Sequence, residues 1–350
     1  MTDTARFMIV LGSLSEFATA IRLPGAGRGL SKQRPSKVFP AFFETLPQMN
    51  GKTVAITGAS RGLGFVTALA LAKKGAAVIM LNRPSVQAER ACEEIADAAT
   101  GPAPVLIQCD LLDFSSVRLA ARSVRNACSD GLDVLCCNAG IMLQPDEASK
   151  DGFDITASTN VLSHFLLTKE LLQTLEQAAQ RTGGARVVSM SSGSGFGPPA
   201  FDSHCFAREG GKLGSGNRAS YARYHQSKLA NLLFTSALSE KLSTRGSAVQ
   251  AVACTPGVCA TDMFVHVHKQ TRPDVPPDFS RVPSVDDGAC AQLKCICDPA
   301  VKSGQLWGPR GIGGDLPVQL TLAPPTVLID DASKTQLWAC CERAVGEFEL

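Results

Sequence analysis

The sequence lacks an excess of charge of either sign. It has 34 Lys and Arg residues against 32 Asp and Glu, so the net charge is +2 over 350 residues. This balance argues neither for nor against a polyanionic partner. A long apolar run is also missing, because the run at residues 7–11 continues only weakly to residue 14 and is far too short to cross a bilayer. We therefore predict no transmembrane span, and nothing in the composition indicates nucleic acid as a partner.

Regular cysteine spacing is absent as well. The thirteen cysteines are odd in number and follow no framework, so we expect reduced, mostly buried thiols in a reducing compartment. Cys295-Ile296-Cys297 and His266-Val267-His268 have the wrong spacing for a zinc knuckle, and we predict no metal site. No internal repeat or domain linker follows residue 50.

Residues 1–50 are predicted to be an extension to the main domain. They carry six basic and three acidic residues, and between residues 17 and 43 there are five basic residues and no acidic one. Pro24 and several glycines interrupt any long helix there. Such a segment could be an organelle transit segment, a surface arm or a peripheral membrane contact. The predicted location is accordingly cytoplasmic or organellar.

From residue 52 onward, short apolar and β-branched runs alternate with segments of helical period. This alternation indicates βαβ units around a parallel sheet. We predict an α/β fold, a single Rossmann-type doubly wound domain over residues 51–350, with a seven-stranded parallel sheet flanked by helices. The predicted strands are 53–57, 76–81, 105–109, 133–137, 186–191, 249–254 and 305–307. Predicted helices include 85–98, 114–128, a long one over 151–181, one from Tyr224 to about Arg245, and 285–297.

A glycine-rich turn lies between the first predicted strand and its helix. Glycines allow the backbone to approach a pyrophosphate closely, and the free N–H groups of the helix start form an anion site. The context predicts a dinucleotide-binding turn, although the spacing is G-x-x-x-G-x-G and not G-x-G-x-x-G. Its predicted cofactor-binding residues are Thr57, Gly58, Ser60, Arg61, Gly62, Leu63 and Gly64.

Charge at the end of the second strand favours NADP(H) over NAD(H). A site that prefers NAD has an acidic residue there, whereas this chain has Asn82 followed by Arg83. Arg61 adds a second cation near the place of a 2′-phosphate, unless both arginines merely face solvent. After the third strand, Asp110, with Leu111 beside it, could accept from the adenine amino group or could cap the next helix.

Tyr224 and Lys228 form a Y-x-x-x-K pair. On a helix a residue and its fourth neighbour share one face, so both groups can reach one site. A phenol has a pKa of about 10, and a nearby cation lowers it toward the range of efficient acid–base catalysis. The plain alternative is a surface Tyr and a solvated Lys.

Five features follow one another in a fixed order: the glycine turn, Asn138-Ala139-Gly140, Asn160, Ser191-Ser192, and Y-x-x-x-K. Together they resemble the short-chain dehydrogenase/reductase family, from about residue 52 to residue 307. A closer likeness is to the retinol-dehydrogenase-like branch, which includes relatives of protochlorophyllide reductase. Residues 160–168 and 224–231 carry it, and residues 337–338 look like the last helix of that branch. This resemblance implies a small apolar carbonyl or alcohol substrate and, by analogy, a homodimer.

The resemblance also implies a role for each matching residue. Tyr224 would be the acid in carbonyl reduction or the base in alcohol oxidation. Lys228 would lower the pKa of Tyr224 and bind the nicotinamide ribose. Ser192 would hold the substrate oxygen, and Asn160 would support a water-linked proton path. The residues lining the cofactor would be Asn138, Ala139, Gly140, Pro256, Gly257 and Thr261.

Alternatives and departures accompany this assignment. Asn160 could be satisfied within its own helix, and Ser191 could be a strand-end cap. Cys137 stands where many relatives have Asn. An insert, residues 196–222, lies between Ser192 and Tyr224 and is interpreted as a substrate lid or a disordered surface insertion. The segment 265–282 lies where the family has its substrate-covering loop. A non-catalytic NADP(H)-binding regulatory or interaction protein is the alternative function.

Overall fold

A computed structural model describes residues 35–198, 200–208, 211–311, 313, 315–320 and 329–350. Its strands are β1 (Thr53–Thr57), β2 (Ala77–Asn82), β3 (Val105–Gln108), β4 (Val134–Cys137), β5 (Ala185–Met190), β6 (Val249–Cys254), β7 (Leu306–Gly308) and β8 (Val318–Leu320). Its helices are α1 (Phe39–Thr45), α2 (Gly62–Lys73), α3 (Val86–Ala98), α4 (Phe114–Ala127), α5 (Ser163–Thr182), α6 (His204–Ala207), α7 (Gly216–Thr244), α8 (Asp262–Thr271), α9 (Val285–Cys297) and α10 (Asp331–Val345).

All the described strands belong to one sheet, in the order β3-β2-β1-β4-β5-β6-β7-β8. Strands β1 to β7 pair in parallel, while β8 pairs antiparallel with β7. The predicted Rossmann-type α/β fold and its seven parallel strands are confirmed, but the predicted size of the sheet was wrong, because an eighth, antiparallel strand extends it. The eighth strand has only three residues, which is too short to show a period, and it forms only by pairing with β7.

The order of the strands reverses between β1 and β4, because β2 and β3 continue on one side and β5 to β7 on the other. In open α/β sheets, ligands bind at the carboxyl ends of the strands next to such a reversal. The loops that follow β1 and β4 meet there, so the topology alone points to this edge of the sheet.

Two apolar cores cover the two faces of the sheet. Successive side chains of a strand point to opposite faces, and β5 shows this clearly: Val187 packs with α4, α5 and α7, whereas Val188 packs with α2 and α9. In β1, Ala55 and Ile56 divide in the same way. Burial on both faces explains why consecutive residues in the middle of these strands are apolar.

The helix that carries Asn160 contains a local change of pitch. Helical structure begins at Ile155–Ala157, continues as a π-helical turn over Ser158–Leu162, and then becomes α5. The predicted long helix is therefore confirmed from residue 155, but the π-turn was not foreseen. Such turns occur often at functional sites, and Asn160 lies at the centre of this one.

Helix α7 begins earlier than predicted, at Gly216 and not at Tyr224. The residues from Gly216 to Arg223 show little apolar period, so hydrophobic periodicity alone could not reveal them. Tyr224 consequently lies about two turns inside the helix, where the backbone is held on both sides. The predicted C-terminal helix is confirmed as α10, which packs against α7 through Leu337 and Trp338.

Residues 36–49 of the predicted extension pack against the domain. The Asp287 carboxylate in α9 accepts hydrogen bonds from the Ser36 hydroxyl and from the backbone N–H groups of residues 37–39, while Phe42 and Leu46 are buried. Residues 1–34, on which most of the targeting prediction rests, lie outside the described residues. Within the described ranges, no helix has the length and apolar character needed to cross a membrane. All cysteines except Cys92 and Cys205 are buried.

Candidate active site

The glycine turn between β1 and α2 requires glycine at two positions where backbone segments touch. A Cβ atom on Gly64 would lie 2.3 Å from the Gly58 carbonyl oxygen, and Gly58 has a φ of +69°. No side chain caps the first turn of α2, so its N–H groups remain available to an anion. The backbone present here therefore fits a dinucleotide pyrophosphate.

Thr57 and Asn138 join the ends of β1 and β4. The Thr57 hydroxyl accepts from the backbone N–H groups of Asn138 and Ala139, both at 3.0 Å. The Asn138 amide in turn donates to the Thr57 carbonyl oxygen at 2.8 Å. Both side chains therefore form hydrogen bonds within the protein. Their contribution is to hold the turn in shape and not to contact a ligand.

Asn82 at the end of β2 anchors the glycine turn. Its Oδ1 accepts from Ala59 N at 3.1 Å, and its Nδ2 donates to Ser60 Oγ at 3.0 Å. Arg83, the next residue, is exposed. The Arg61 guanidinium is also exposed and lies 3.4 Å from the Asp262 carboxylate, an ion pair worth little in solvent. Both predicted cations therefore flank the turn and remain accessible.

Asp110 and Leu111 close the loop after β3. Asp110 Oδ1 accepts from Leu112 N at 3.0 Å, and α4 is capped by Asp113 and not by Asp110. The suggestion that Asp110 caps this helix was therefore wrong. Leu111 is nearly buried, and its carbonyl oxygen accepts from Ser163 Oγ at 2.7 Å.

Ser192 and Tyr224 meet at the carboxyl end of β5. Tyr224 is only 5% exposed, and a side-chain hydrogen bond links it to Ser192. Ser191 is buried, and its hydroxyl donates to the Lys228 carbonyl oxygen at 2.8 Å. Of the two serines, Ser192 therefore contacts the phenol and Ser191 contacts the helix backbone, while the catalytic role of Ser192 stays a prediction.

Burial dominates the electrostatics of Tyr224. It raises the pKa of the phenol to about 12, and the hydrogen bond from Ser192 only partly opposes it. A pKa lowered by Lys228 was expected from the sequence, and this expectation was wrong because burial of the phenol has the larger effect. Lys228 Nζ is 5.7 Å from the centre of the Tyr224 ring and donates to Met190 O at 2.9 Å. Burial lowers the pKa of Lys228 itself to about 8.

Asn160 connects the loop after β4 to α7. Its Oδ1 accepts from Ile141 N at 2.8 Å, while its Nδ2 donates to Ile141 O at 3.0 Å and to Ser227 Oγ at 2.9 Å. These partners lie outside its own helix, so the alternative of a locally satisfied Asn was wrong. A Cβ on Gly140 would lie 3.4 Å from both Asn160 Oδ1 and Lys228 Nζ. Gly140 and these two side-chain atoms are therefore close neighbours.

His164 belongs to this site, although no role was predicted for it from the sequence. Its Nε2 is 2.9 Å from Thr57 Oγ1 and its Nδ1 is 3.2 Å from the Asn160 carbonyl oxygen. Because a carbonyl only accepts, Nδ1 carries the proton and Nε2 accepts from Thr57. Burial lowers the pKa of His164 to about 4, so the ring is neutral. The one available signal was its position one helical turn after Asn160.

The loop after β6 lies against the glycine turn. A Cβ on Gly62 would be 3.8 Å from the methyl group of Thr261, and Thr261 caps α8 by accepting from Phe264 N. Pro256 and Gly257 precede it and are half-buried. Of the predicted residues of this loop, Thr261 therefore lies beside the glycine turn, and the contact of the loop with a cofactor stays a prediction.

The insert packs against α7 where it is described. Phe201 and Phe206 are buried with their ring centres 5.3 Å apart. Gln226 of α7 donates to Ala200 O at 2.9 Å and accepts from Asp202 N at 3.0 Å. These contacts contradict the alternative of a disordered insertion for these residues, while a role as a lid remains a prediction.

Comparison with known proteins identifies the family. A family model described as short chain dehydrogenase matches residues 52–204. Human polyprenol dehydrogenase is 32% identical, over 75% of this chain and 78% of that protein. The chain belongs to the short-chain dehydrogenase/reductase family. This is a family of oxidoreductases, and the likeness predicted from the five ordered motifs is confirmed.

Other relatives place this short-chain dehydrogenase near the retinol dehydrogenases. Mouse retinol dehydrogenase 12 is 38% identical over 62% of this chain, and an uncharacterised oxidoreductase of Schizosaccharomyces pombe is 37% identical over 63%. The alignment spans 64% of each of these two proteins, which is less than two thirds of their length. The solved structure of an uncharacterised protein from Mycobacterium paratuberculosis is 32% identical, with a TM-score of 0.69, over 88% of this chain and 98% of that one.

Proposed function

We propose that this short-chain dehydrogenase interconverts a carbonyl and an alcohol with NADP(H). The observation that carries the proposal is the contact between Ser192 and the buried phenol of Tyr224, with Lys228 on the same face of α7. A carbonyl oxygen that is being reduced needs a hydroxyl group that donates a hydrogen bond to it and a second group that gives it a proton.

Each residue of the site has a distinct part in the proposed reaction. Ser192 donates a hydrogen bond to the substrate oxygen and stabilises the negative charge that develops there. Tyr224, protonated at neutral pH because its pKa is about 12, supplies the proton to that oxygen. The Lys228 ammonium favours the phenolate that remains. Nicotinamide supplies or accepts the hydride when it is bound.

The rate of reduction should fall as Lys228 loses its proton. Its pKa, lowered to about 8 by burial, means that the ammonium is present below pH 8 and is lost above it. We therefore expect kcat/KM for reduction to decline about tenfold per pH unit above roughly pH 8. Initial rates measured from about pH 6 to about pH 10 test this expectation.

Other described groups at the site do not change protonation near pH 8. Burial raises the pKa values of Tyr224 and Cys259 to about 12 and lowers that of His164 to about 4. Any residual activity of a Lys228→Arg variant should lack the decline, because a guanidinium stays charged. A wild-type profile that remains flat well above pH 8 would contradict the role of Lys228.

Preference for NADP(H) rests on Asn82 in place of an acidic residue and on the exposed Arg83 beside it. We expect Arg83→Met to raise the KM for NADPH by roughly tenfold or more, because a charge-assisted hydrogen bond to a phosphate is worth about 1.5–3 kcal/mol. The KM for NADH should change little, and steady-state kinetics with both cofactors measure the ratio. Arg90→Met, an exposed position in α3, is the matched control. Equal effects on both cofactors would refute the assignment.

We further propose an apolar substrate. Two of the relatives are named for polyprenol and retinol. Helix α8 contacts the glycine turn through Asp262 and the loop after β4 through His266. It has no buried residue, although Met263, Phe264, Val265 and Val267 are apolar. Half-exposed apolar side chains beside a reacting group suit an apolar substrate. Loss of NADPH absorbance on incubation with aldehydes, ketones and quinones tests the function. Absence of consumption with every compound, despite tight NADPH binding, would favour the non-catalytic alternative.

A further inference from the structure

Three buried polar atoms near Tyr224 have no hydrogen-bond partner in the described part of the chain. They are Tyr221 Oη, His225 Nε2 and Arg272 Nη2. Buried polar groups almost always have a partner, and leaving one unpaired costs about 1–3 kcal/mol. A cluster of such atoms beside a reacting group therefore indicates that a ligand completes it.

Tyr221 and His225 lie on the face of α7 that carries Tyr224. The rings of Tyr221 and His225 are 5.8 Å apart between centres, and those of Tyr224 and His225 are 6.4 Å apart. Residues three apart on a helix are neighbours at about 5–6 Å. A group bound by Tyr221 is consequently about one helical turn from the reacting oxygen.

Arg272 reaches the same place from α8. Asn217 Nδ2 donates to the Gln270 carbonyl oxygen at 3.3 Å, which joins the end of α8 to the start of α7. Asn217 is one turn before Tyr221, so this hydrogen bond brings the end of α8, which Arg272 follows directly, to the part of α7 that carries Tyr221. The Arg272 guanidinium also opposes the burial that raises the pKa of Tyr221.

The charges around this cluster favour an anion. Burial lowers the pKa of His225, so its ring is neutral, and Tyr221 and Arg272 are donors. Asp278, in the loop after α8, also has a buried oxygen without a partner. Among the described residues no carboxylate lies within 4.0 Å of the Arg272 guanidinium, so Arg272 is not engaged in an ion pair.

We propose that Tyr221 and Arg272 bind a carboxylate of the substrate, so that the enzyme acts on oxo acids or hydroxy acids with an apolar body. This inference rests on the proposed function, because it adds a second anchoring point to the same site. The carboxylate lies about one helical turn from the carbonyl, and the apolar body extends beside α8. A substrate that lacks the carboxylate leaves the Arg272 guanidinium unpaired, so the enzyme favours the acid over the neutral substrate.

The test compares decanoic acids that carry a ketone at successive chain positions with their methyl esters. For the best-placed ketone, kcat/KM with NADPH should be at least about tenfold higher for the acid, which corresponds to one charged hydrogen bond. Arg272→Met should lower kcat/KM for the acid at least about tenfold more than for the ester, and Tyr221→Phe should do so to a smaller extent. Arg281→Met, an exposed arginine of the same loop, is the control and should preserve the preference.

Equal values for acid and ester at every ketone position would overturn the proposal. The proposal would also be overturned if Arg272→Met lowered kcat/KM equally for acid and ester and lowered the melting temperature. That result would mean that Arg272 supports the structure of the loop. If no ketone is reduced, calorimetry with decanoate and decanol in the presence of NADPH separates the two proposals. Tighter binding of decanoate that is lost in Arg272→Met would support the subsite alone, and equal binding would refute it.

Discussion

Replacement of Tyr224 with Phe is expected to abolish turnover while NADPH affinity stays within a few-fold. The change removes one oxygen from a ring that is only 5% exposed, so the packing of α7 is preserved. Positioned general acids contribute about 10²–10⁴-fold to a rate, and we expect a loss of about 10³-fold or more in kcat. Single-turnover absorbance of NADPH measures the rate, and quenching of NADPH fluorescence measures the affinity. Retained turnover would remove the basis of the catalytic proposal.

The two adjacent serines provide a matched control. Ser192→Ala removes the hydroxyl that contacts the Tyr224 phenol, whereas Ser191→Ala removes one that donates to the Lys228 carbonyl oxygen. Loss of one stabilising donor at a developing oxyanion costs about 10²–10³-fold in kcat, so the Ser192 variant should lose rate. Its stability should fall by no more than about 0.5–2 kcal/mol, the usual cost of a lost cap, because Ser192 Oγ accepts from Ser194 N. Ser191→Ala should instead lower the stability, because it leaves a buried carbonyl oxygen with fewer donors. A larger loss of rate in Ser191→Ala than in Ser192→Ala would instead assign the catalytic role to Ser191.

Most of the sheet could be predicted because its strands are buried on both faces. In β5, the adjacent Val187 and Val188 supply one core each, so the middle of the strand is apolar at consecutive positions. The antiparallel β8 could not be predicted, since three residues show no period and their pairing depends on β7 being in place. The start of α7 was missed for a related reason, because its first two turns are mostly polar.

The site was predicted as a set of residues but not as an electrostatic environment. The Y-x-x-x-K motif indicated that Tyr224 and Lys228 share one face of a helix, because i and i+4 residues must do so, and both lie on α7. The direction of the Tyr224 pKa shift was wrong, since it depends on how many neighbouring atoms exclude water, and that quantity exists only in the folded chain. The same holds for His164, whose partners Thr57 and Asn160 come from β1 and from the π-turn.

Replacement of Arg223 with Met is expected to lower the free energy of unfolding by about 3–5 kcal/mol, the usual cost of leaving one member of a buried ion pair alone. Arg223 Nε lies 3.1 Å from the Asp154 carboxylate, with the two side chains 2% and 0% exposed. Its other nitrogens donate to the carbonyl oxygens of Gly214 at 2.8 Å and Gln144 at 3.0 Å. Urea denaturation followed by circular dichroism measures the loss. Arg218→Met, an exposed position on the same helix, should change the stability by no more than about 0.5 kcal/mol.

A double-mutant cycle with Asp154→Asn separates the ion pair from the backbone contacts. Asn keeps the oxygen that accepts from Ala157 N and caps the helix start, so it removes only the charge. The double variant should lose less than the sum of the single losses, because the second change removes a charge that the first left unpaired. Burial already raises the pKa of Asp154, and Arg223 opposes it. Without Arg223 this pKa rises further, so the loss in Arg223→Met should shrink as acidification protonates the carboxyl group. Additive losses that do not change with pH would mean that Arg223 acts through Gly214 and Gln144 alone.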